Sequence, residues 1–378
     1  KIWLSLAKMS GKEIDFVKEA FDTNWVVPLG PNVNGFEKEL EDFLAKENKV
    51  IALSSGTAAL HLALIQLGVG MGDEVICQSF TFSASANPIK YVGANPVFID
   101  SEVDTWNMNP KLLEEAICDR FKITGKYPKA IIPVHLYGMP AKMDEITIIA
   151  DKYNIPILED AAEALGSKYK TRMCGNFGDF GVLSFNGNKM ITTSGGGALV
   201  CHSEVKTKET KYYATQARDD QPYYQHSKIG YNYRMSNICA GIGRGQMLVL
   251  DDFIARRKEI NRLYRQYLNN ITGIVFHTNP SEAYDSNYWL TCIMIDPLKA
   301  GFSNEELRLI MEKENIETRH LWKPMHLQPV FKDCPFYGSD VSEKLFSQGL
   351  CLPSSPVLSN HDIDRVINVI VKMKNKGK

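Results

Sequence analysis

The chain carries 378 residues, 44% hydrophobic and 23% charged, with 43 basic against 44 acidic side chains and a formal charge of −1. That balance excludes a global electrostatic grip on nucleic acid or on an anionic membrane, so any bound anion must be held locally. The length exceeds what one small core uses and predicts two domains. The eight cysteines are scattered, with no CxxC pair and no Cys/His cluster at zinc spacing. They predict reduced thiols in a cytoplasmic protein, with no metal site. The start of the chain lacks a signal peptide's long apolar run, and no stretch of about 18 apolar residues predicts a membrane span. Position 1 is Lys rather than Met, so at least one residue is expected to precede it.

In chain order, "KVIAL" (49–53) reads as a strand leading into "SSGTAALHLALIQLG", a helix opened by Ser-Ser-Gly-Thr. "DEVICQ" (73–78), "PVFID" (96–100), "AIIPVHLYG" (130–138) and "PILEDAAEALG" (156–166) are further strand candidates, and "KMDEITIIADKYN" (142–154) reads as an amphipathic helix. "DFGVLSF" (179–185) and "GGALVC" (196–201) add two strands. Strand and helix alternating at this rhythm predict a mostly parallel sheet covered by helices on both faces. From about 235 the segment "MSNICAGIGRGQMLVLDDFIARRKEINRLYRQYLNNI" predicts one long helix, or two joined near Gly241–Gly245. The strand "YWLTCIMI" and the helices "SNEELRLIMEKENI" and "DIDRVINVIVKMKNKGK" follow. These assignments predict a large domain over residues 1–249 with an N-terminal arm, and a smaller α+β domain over 250–378.

Four places along this order suit one kind of ligand. At Ser54-Ser55-Gly56-Thr57 a strand meets a helix, and the free amides of a helix N-terminus, beside a hydroxyl and a bare glycine, suit a phosphate. The plainer reading is an ordinary N-cap. Asp160 ends an apolar strand, where α/β sheets place ligands, and a carboxylate there suits a protonated ring nitrogen. The alternative is that Glu159 and Asp160 cap a following helix. Lys189 lies in "SFNGNKMITTSGGGAL" (184–199), among small polar residues and glycines that let a flat group lie against the backbone. An imine-forming lysine needs such a half-dry pocket, whereas most lysines are solvated. Ser184, five residues earlier, suits a phosphate. The cluster "GYNYRMSN" (230–237) holds Asn232 and Arg234, reaching a phosphate or nucleotide, or else packing as a tyrosine-rich patch.

A phosphate anchor, a carboxylate for a pyridine nitrogen and an amine are what pyridoxal 5′-phosphate requires. With "GPNVNGFEKEL" (30–40), "QSFTFSASANP" (78–88), "VHLYGMPAKMDEI" (134–146), "ETRHLWKPMH" (317–326) and "CLPSS" (351–355) in the same order, the chain resembles the DegT/DnrJ/EryC1/StrS family of sugar aminotransferases almost end to end. The resemblance implies a fold of the aspartate-aminotransferase type (fold type I) and a homodimer with shared active sites. It makes Lys189 the catalytic amine and proton shuttle, with Asp160 on the pyridine nitrogen. It puts Phe82 against the ring, and Gly56, Thr57 and Ser184 on the phosphate, joined by Asn232 of the partner subunit. Glu163 stands near the phenolic oxygen, where many relatives carry Gln and where a charged carboxylate would repel. Arg234, on the diphosphate of a substrate bound in the partner subunit, and His326 and Trp322 are the implied sugar-nucleotide contacts, "RHLWKPMH" otherwise reading as an aromatic lid.

The amino donor implied is L-glutamate. The segments "ATQARDD" and "SFNGNKMITTSGGG" resemble most the aminases of UDP-4-keto-6-deoxy sugars in bacillosamine-type pathways, which implies a UDP-linked 2-acetamido-4-keto-2,6-dideoxyhexose. GDP-4-keto-6-deoxymannose and dTDP-linked 3- or 4-ketosugars are the alternatives. A family-type dehydratase is disfavoured because such relatives replace the lysine by histidine. A nucleotide-sugar sensor finds no basic stripe to support DNA binding. A nicotinamide dehydrogenase fails because no GxGxxG opens a helix after a strand.

Overall fold

The structure is a computed structural model that describes residues 1–44 and 48–376. Its main sheet is built from short runs of β-branched and aliphatic residues, buried on both faces as parallel strands require. In chain order these are β1 (Lys49–Leu53), β2 (Glu74–Gln78), β3 (Asn95–Ile99), β4 (Ala130–Ile132), β5 (Leu158–Asp160), β6 (Phe180–Ser184) and β7 (Gly197–Cys201). The spatial order is β3-β2-β4 in one parallel ladder and β5-β6-β7-β1 in another. Parallel bridges Ile131–Ile157 and Val134–Asp160 join β4 to β5. Only β7 runs against its neighbours, pairing antiparallel with both β6 and β1. The mostly parallel sheet is therefore present, with one reversed strand. That reversal puts the start of β7 at the same edge as the carboxyl ends of β1, β5 and β6.

Helices cover the sheet. The first two, α1 (Glu13–Asp22) and α2 (Pro31–Leu44), precede β1. The third, α3 (Gly56–Gln66), is buried at every position from Ala58 to Leu64, so it runs through the interior rather than over the surface. It starts where the sequence indicated, with Ser55 as N-cap accepting from the Ala58 amide. On the outer side lie α4 (Pro110–Thr124), α5 (Met143–Tyr153) and α6 (Glu204–Ala214).

The stretch after residue 235 forms two helices, α7 (Asn237–Met247) and α8 (Leu250–Leu268). They part at Leu248–Val249 and not within the glycines. Gly241, Gly243 and Gly245 lie inside α7, where a Cβ would stand 3.3 Å or less from Phe16, Phe36 and Glu13 respectively. Those glycines let α1 and α2 lie directly on α7 and do not break it. Beyond α8 an antiparallel sheet forms from β8 (Ile274–Phe276), β9 (Thr291–Ile295), β10 (Arg319–His320) and, past the two-residue strand β11 (Phe336–Tyr337), β12 (Gly349–Leu352). It packs on α8, α9 (Asn304–Lys313) and α11 (Asn360–Lys376), the last preceded by α10 (Val341–Gln348). Gly377 and Lys378, the end of the expected final helix, lie outside the described residues.

Two crossings tie this part to the main sheet. The first residues of the chain run beside the small sheet, with Ile2 bridged to Ile316 and the Leu4 amide donating to Glu317. In the other direction β11 adds a parallel edge to β3, and Asp100 accepts from the amides of Ser339, Val341 and Ser342. The chain from Leu321 to Tyr337 thereby lies across the carboxyl edge of the main sheet.

Close packing at β6 gives a direct test. A Cβ on Gly181 would stand 2.0 Å from the carbonyl oxygen of Gly175, backbone that cannot swing aside. Gly181→Ala is expected to cost about 2–3 kcal/mol, as overpacking of a filled core does. Urea unfolding should show a lower midpoint at unchanged slope.

Candidate active site

At the carboxyl edge of the main sheet lies a cavity of about 210 Å³, lined by segments from five strands. From β1 and α3 come Ser54 to Thr57, from the loop after β2 Thr81, Phe82 and Ser85, from β5 and its turn Asp160 and Glu163, from β6 Ser184. The loop between β6 and β7 supplies Lys189, Gly195 and Gly196, while Trp289 and Trp322 wall it from the other side. A larger groove of about 570 Å³ between α9 and α11 contains none of these residues.

The amides of Gly56 and Thr57 open α3 and have no intrahelical acceptor. Gly56 lies against Ser184, since a Cβ there would meet the Ser184 Cβ at 3.2 Å and its Oγ at 3.6 Å. The hydroxyl thus stands beside the free amides. Gly197 is required for the same approach: a Cβ would fall 2.2 Å from the Gly56 nitrogen. Ser194, with φ of 69°, turns the loop back toward β7.

Asp160 is 4% exposed, and the two carboxylate oxygens accept from the Ser85 hydroxyl (2.6 Å) and the Ala162 amide (3.1 Å). No helix follows β5; the chain turns instead, so Glu159 and Asp160 cap nothing. Alternation sends Glu159 to the opposite side, where it accepts from His135 Nε2 at 2.6 Å and from the Phe177 amide at 2.7 Å.

Lys189 Nζ lies 3.3 Å from Glu163 Oε1 and 4.2 Å from the centre of the Trp289 ring, with 12% of the side chain exposed. Glu163 also accepts from the Tyr137 amide at 2.7 Å. Burial pushes the Glu163 carboxyl above its ordinary value, the Lys189 charge and the Tyr137 amide opposing that rise only in part. Phe82, half exposed, stands 5.3 Å from Trp322 across the mouth. Trp322 in turn lies parallel to Tyr137, which lies parallel to Trp289.

Seven of the residues singled out in the sequence for cofactor or catalysis therefore line one cavity: Gly56, Thr57, Phe82, Asp160, Glu163, Ser184 and Lys189, joined by Trp322. Asn232 is exposed and bridges Thr215, outside this cavity. Two more lie outside it. Arg234 is 7% exposed, paired with Glu37 and donating to the Ala52 carbonyl of its own chain. His326 stacks on Phe336 at 3.7 Å with its Nδ1 2.7 Å from the Ser79 hydroxyl, beside the cavity and not in it. Trp289 and Ser85 were missed. Trp289 sits in the ordinary-looking "SNYWLT", and no local pattern marks it as the partner of a lysine a hundred residues earlier.

The raised Glu163 carboxyl fixes a sign. Its neutral form is favoured by folding, so its contribution is fully present below the unfolded value near 4.5 and is lost as pH rises through the higher folded value. Relative to Glu163→Gln, the apoenzyme should lose stability as pH climbs out of the acid range. Thermal unfolding of both proteins between pH 4 and about 8 measures this, and parallel curves would contradict it.

The DegT/DnrJ/EryC1/StrS aminotransferase family matches residues 7–371. EpsN of Bacillus subtilis (strain 168), named as a pyridoxal phosphate-dependent aminotransferase, is 48% identical over 99% of this chain and 96% of its own. The GDP-perosamine synthase of Escherichia coli O157:H7 is 39% identical, over 94% of this chain and 93% of its own. Among solved structures, a DegT DnrJ EryC1 StrS aminotransferase from Brucella abortus superposes with a TM-score of 0.89 at 32% identity, covering 96% of this chain and 95% of that one. The PLP form of Spr1654 from Streptococcus pneumoniae, named as a sugar aminotransferase, gives 0.89 at 28% identity, with 99% of each chain covered. The chain belongs to the DegT/DnrJ/EryC1/StrS aminotransferase family, enzymes that work with pyridoxal 5′-phosphate.

Proposed function

We propose that the protein moves the amino group of L-glutamate to the 4-keto group of a nucleotide-linked 4-keto-6-deoxyhexose, with a UDP-linked 2-acetamido-4-keto-2,6-dideoxyhexose as acceptor. The observation that carries this is Lys189, an amine in a largely closed cavity that also holds Asp160 and the open amides of α3. These residues fit the cofactor: Ser184 and the Gly56 and Thr57 amides form one anion-binding corner, and Asp160 offers a carboxylate to a ring nitrogen. When bound, the cofactor supplies an aldehyde for amine exchange and a ring that withdraws electrons.

The side chains divide the rest of the work. Lys189 Nζ would hold the cofactor at its aldehyde carbon and, once displaced by the donor's amine, would be free to take up and return the proton that is moved. Asp160, with opposite charge, favours the protonated ring nitrogen. Glu163, whose carboxyl burial shifts toward the neutral form, would lie beside the phenolic oxygen and there lessen the repulsion a charged carboxylate would bring. Phe82 and Trp322 cover the ring and exclude water. Asn232, exposed and unable to reach its own cavity, completes the phosphate site as Asn232 of the partner subunit in a homodimer.

The second reading, GDP-4-keto-6-deoxymannose as acceptor, is favoured by three relatives named GDP-perosamine synthase at 39%, 36% and 32% identity. Purified enzyme given L-glutamate and a panel of UDP-, GDP- and dTDP-linked ketosugars, with NMR of the product, separates the two. Amination at C4 of the UDP sugar is expected, falling at least ~10³-fold in Lys189→Ala, as loss of a proton-transfer group does. Turnover confined to the GDP sugar would replace the acceptor, and no amine transfer to any ketosugar would contradict the proposal.

A further inference from the structure

Arg257, on α8, is 1% exposed, and its hydrogen-bond partners among the described residues are uncharged carbonyls and a hydroxyl. Burial is the one cause acting on its charge, with no acid among the described residues to offset it. Removing a cation from water without a counter-ion is costly unless hydrogen bonds replace hydration. Three of the four replacements lead toward Lys189. Nη1 donates to the carbonyls of Trp289 (2.6 Å) and Ser354 (3.0 Å). Nη2 reaches the hydroxyl of Ser5 (3.3 Å) and the carbonyl of Lys189 itself (3.4 Å).

Two of those partners, Ser5 and Trp289, also hold the backbone next to Lys189. The Ser5 hydroxyl donates a hydrogen bond to the Asn188 carbonyl at 2.7 Å, and the Trp289 indole N–H donates to that same oxygen at 2.7 Å. The Trp289 ring is the one beneath Lys189 Nζ. One planar guanidinium therefore joins four stretches far apart in sequence: the N-terminal arm, the 188–189 turn, the turn before β9 and the turn after β12. Its fork supplies several donors in fixed directions, which a lysine in its place would not.

We infer that Arg257 is a positioning residue for Lys189: it fastens the carbonyl of Lys189, the Ser5 hydroxyl and the Trp289 carbonyl into one frame, and so sets where Nζ stands over Trp289. The inference rests on the reading of Lys189 as the amine that exchanges with the donor. It concerns a residue that touches neither cofactor nor substrate. Misplacing a reacting group by about 1 Å costs on the order of 10²-fold in rate. A frame made of four hydrogen bonds to one side chain is sensitive to a change of that size.

The test uses holoenzyme of the wild type and of Arg257→Lys, Arg257→Gln and Ser5→Ala. Cofactor content is measured first, then the single-turnover half-reaction with L-glutamate by absorbance, then thermal unfolding of each protein. In Arg257→Lys and Arg257→Gln the rate constant at saturating glutamate should fall about 10- to 100-fold, while the glutamate concentration at half-saturation moves less than about 3-fold. Ser5→Ala, which removes one link at a partly exposed hydroxyl, should show a smaller fall of the same kind. It should also be less than additive with Arg257→Lys, because both break one network. If the Arg257 variants do not fold, the Ser5→Ala fall decides alone. Wild-type saturated rates in folded Arg257 variants, or losses confined to half-saturation or to cofactor content, would overturn the inference, as would an unchanged Ser5→Ala. A wild-type protein that shows no half-reaction with the donor would instead overturn the proposed function, so the two failures are distinguishable.

Discussion

The Lys189 amine, 3.3 Å from the buried Glu163 carboxyl and 4.2 Å from the centre of the Trp289 ring, is the contact on which the site depends. Taking an amine out of water is unfavourable, and Glu163 and Trp289 offset part of that cost while leaving the nitrogen uncommitted to any rigid pair. Burial pushes the Glu163 carboxyl toward its neutral form, and the Lys189 charge opposes that shift only in part. A cation over an aromatic face contributes roughly 2 kcal/mol when desolvated, enough to orient the side chain and too little to lock it. A lysine that must bind an aldehyde carbon and later leave it needs that intermediate hold.

The sheet makes this possible through one reversed strand. Because β7 runs against β6 and β1, the loop carrying Lys189 begins and ends at the carboxyl edge, together with the ends of β1 and β5. Gly197 then allows β7 to touch the first residue of α3, which draws the amide-rich helix start, Ser184 and the lysine loop into one small volume. The opposing wall comes from the later part of the chain, through Trp289, Trp322 and the parallel aromatic row they make with Tyr137. The N-terminal arm closes the back by hydrogen-bonding Asn188.

Much of this was legible in the sequence because it is local. Ser55-Gly56-Thr57 opens a helix, Asp160 ends a strand, and Lys189 precedes a glycine run that no solvent loop needs; each is a short-range statement that the backbone then obeys. The order of motifs supplied the family. What was not legible depends on partners far away. Arg234 reads as an anion ligand beside polar aromatics, and its pairing with Glu37, 197 residues earlier, has no local sign. His326 reads as a site histidine, and its contacts with Ser79 and Phe336 are equally invisible in the sequence around it. The glycines of α7 read as a hinge, and their meaning appears only once α1 and α2 lie against them. Trp289 and Arg257 carry no local sign at all, since their importance lies in which carbonyls they reach.

The central claim is that Nζ of Lys189 is the amine that holds the vitamer. Borohydride reduction of the protein with bound pyridoxal 5′-phosphate, followed by digestion and mass spectrometry, examines that bond without any sugar substrate. The account predicts a phosphopyridoxyl group fixed to the peptide containing Lys189 and absent from Lys189→Ala. A stable adduct on another lysine, or none on a cofactor-loaded protein, would contradict it.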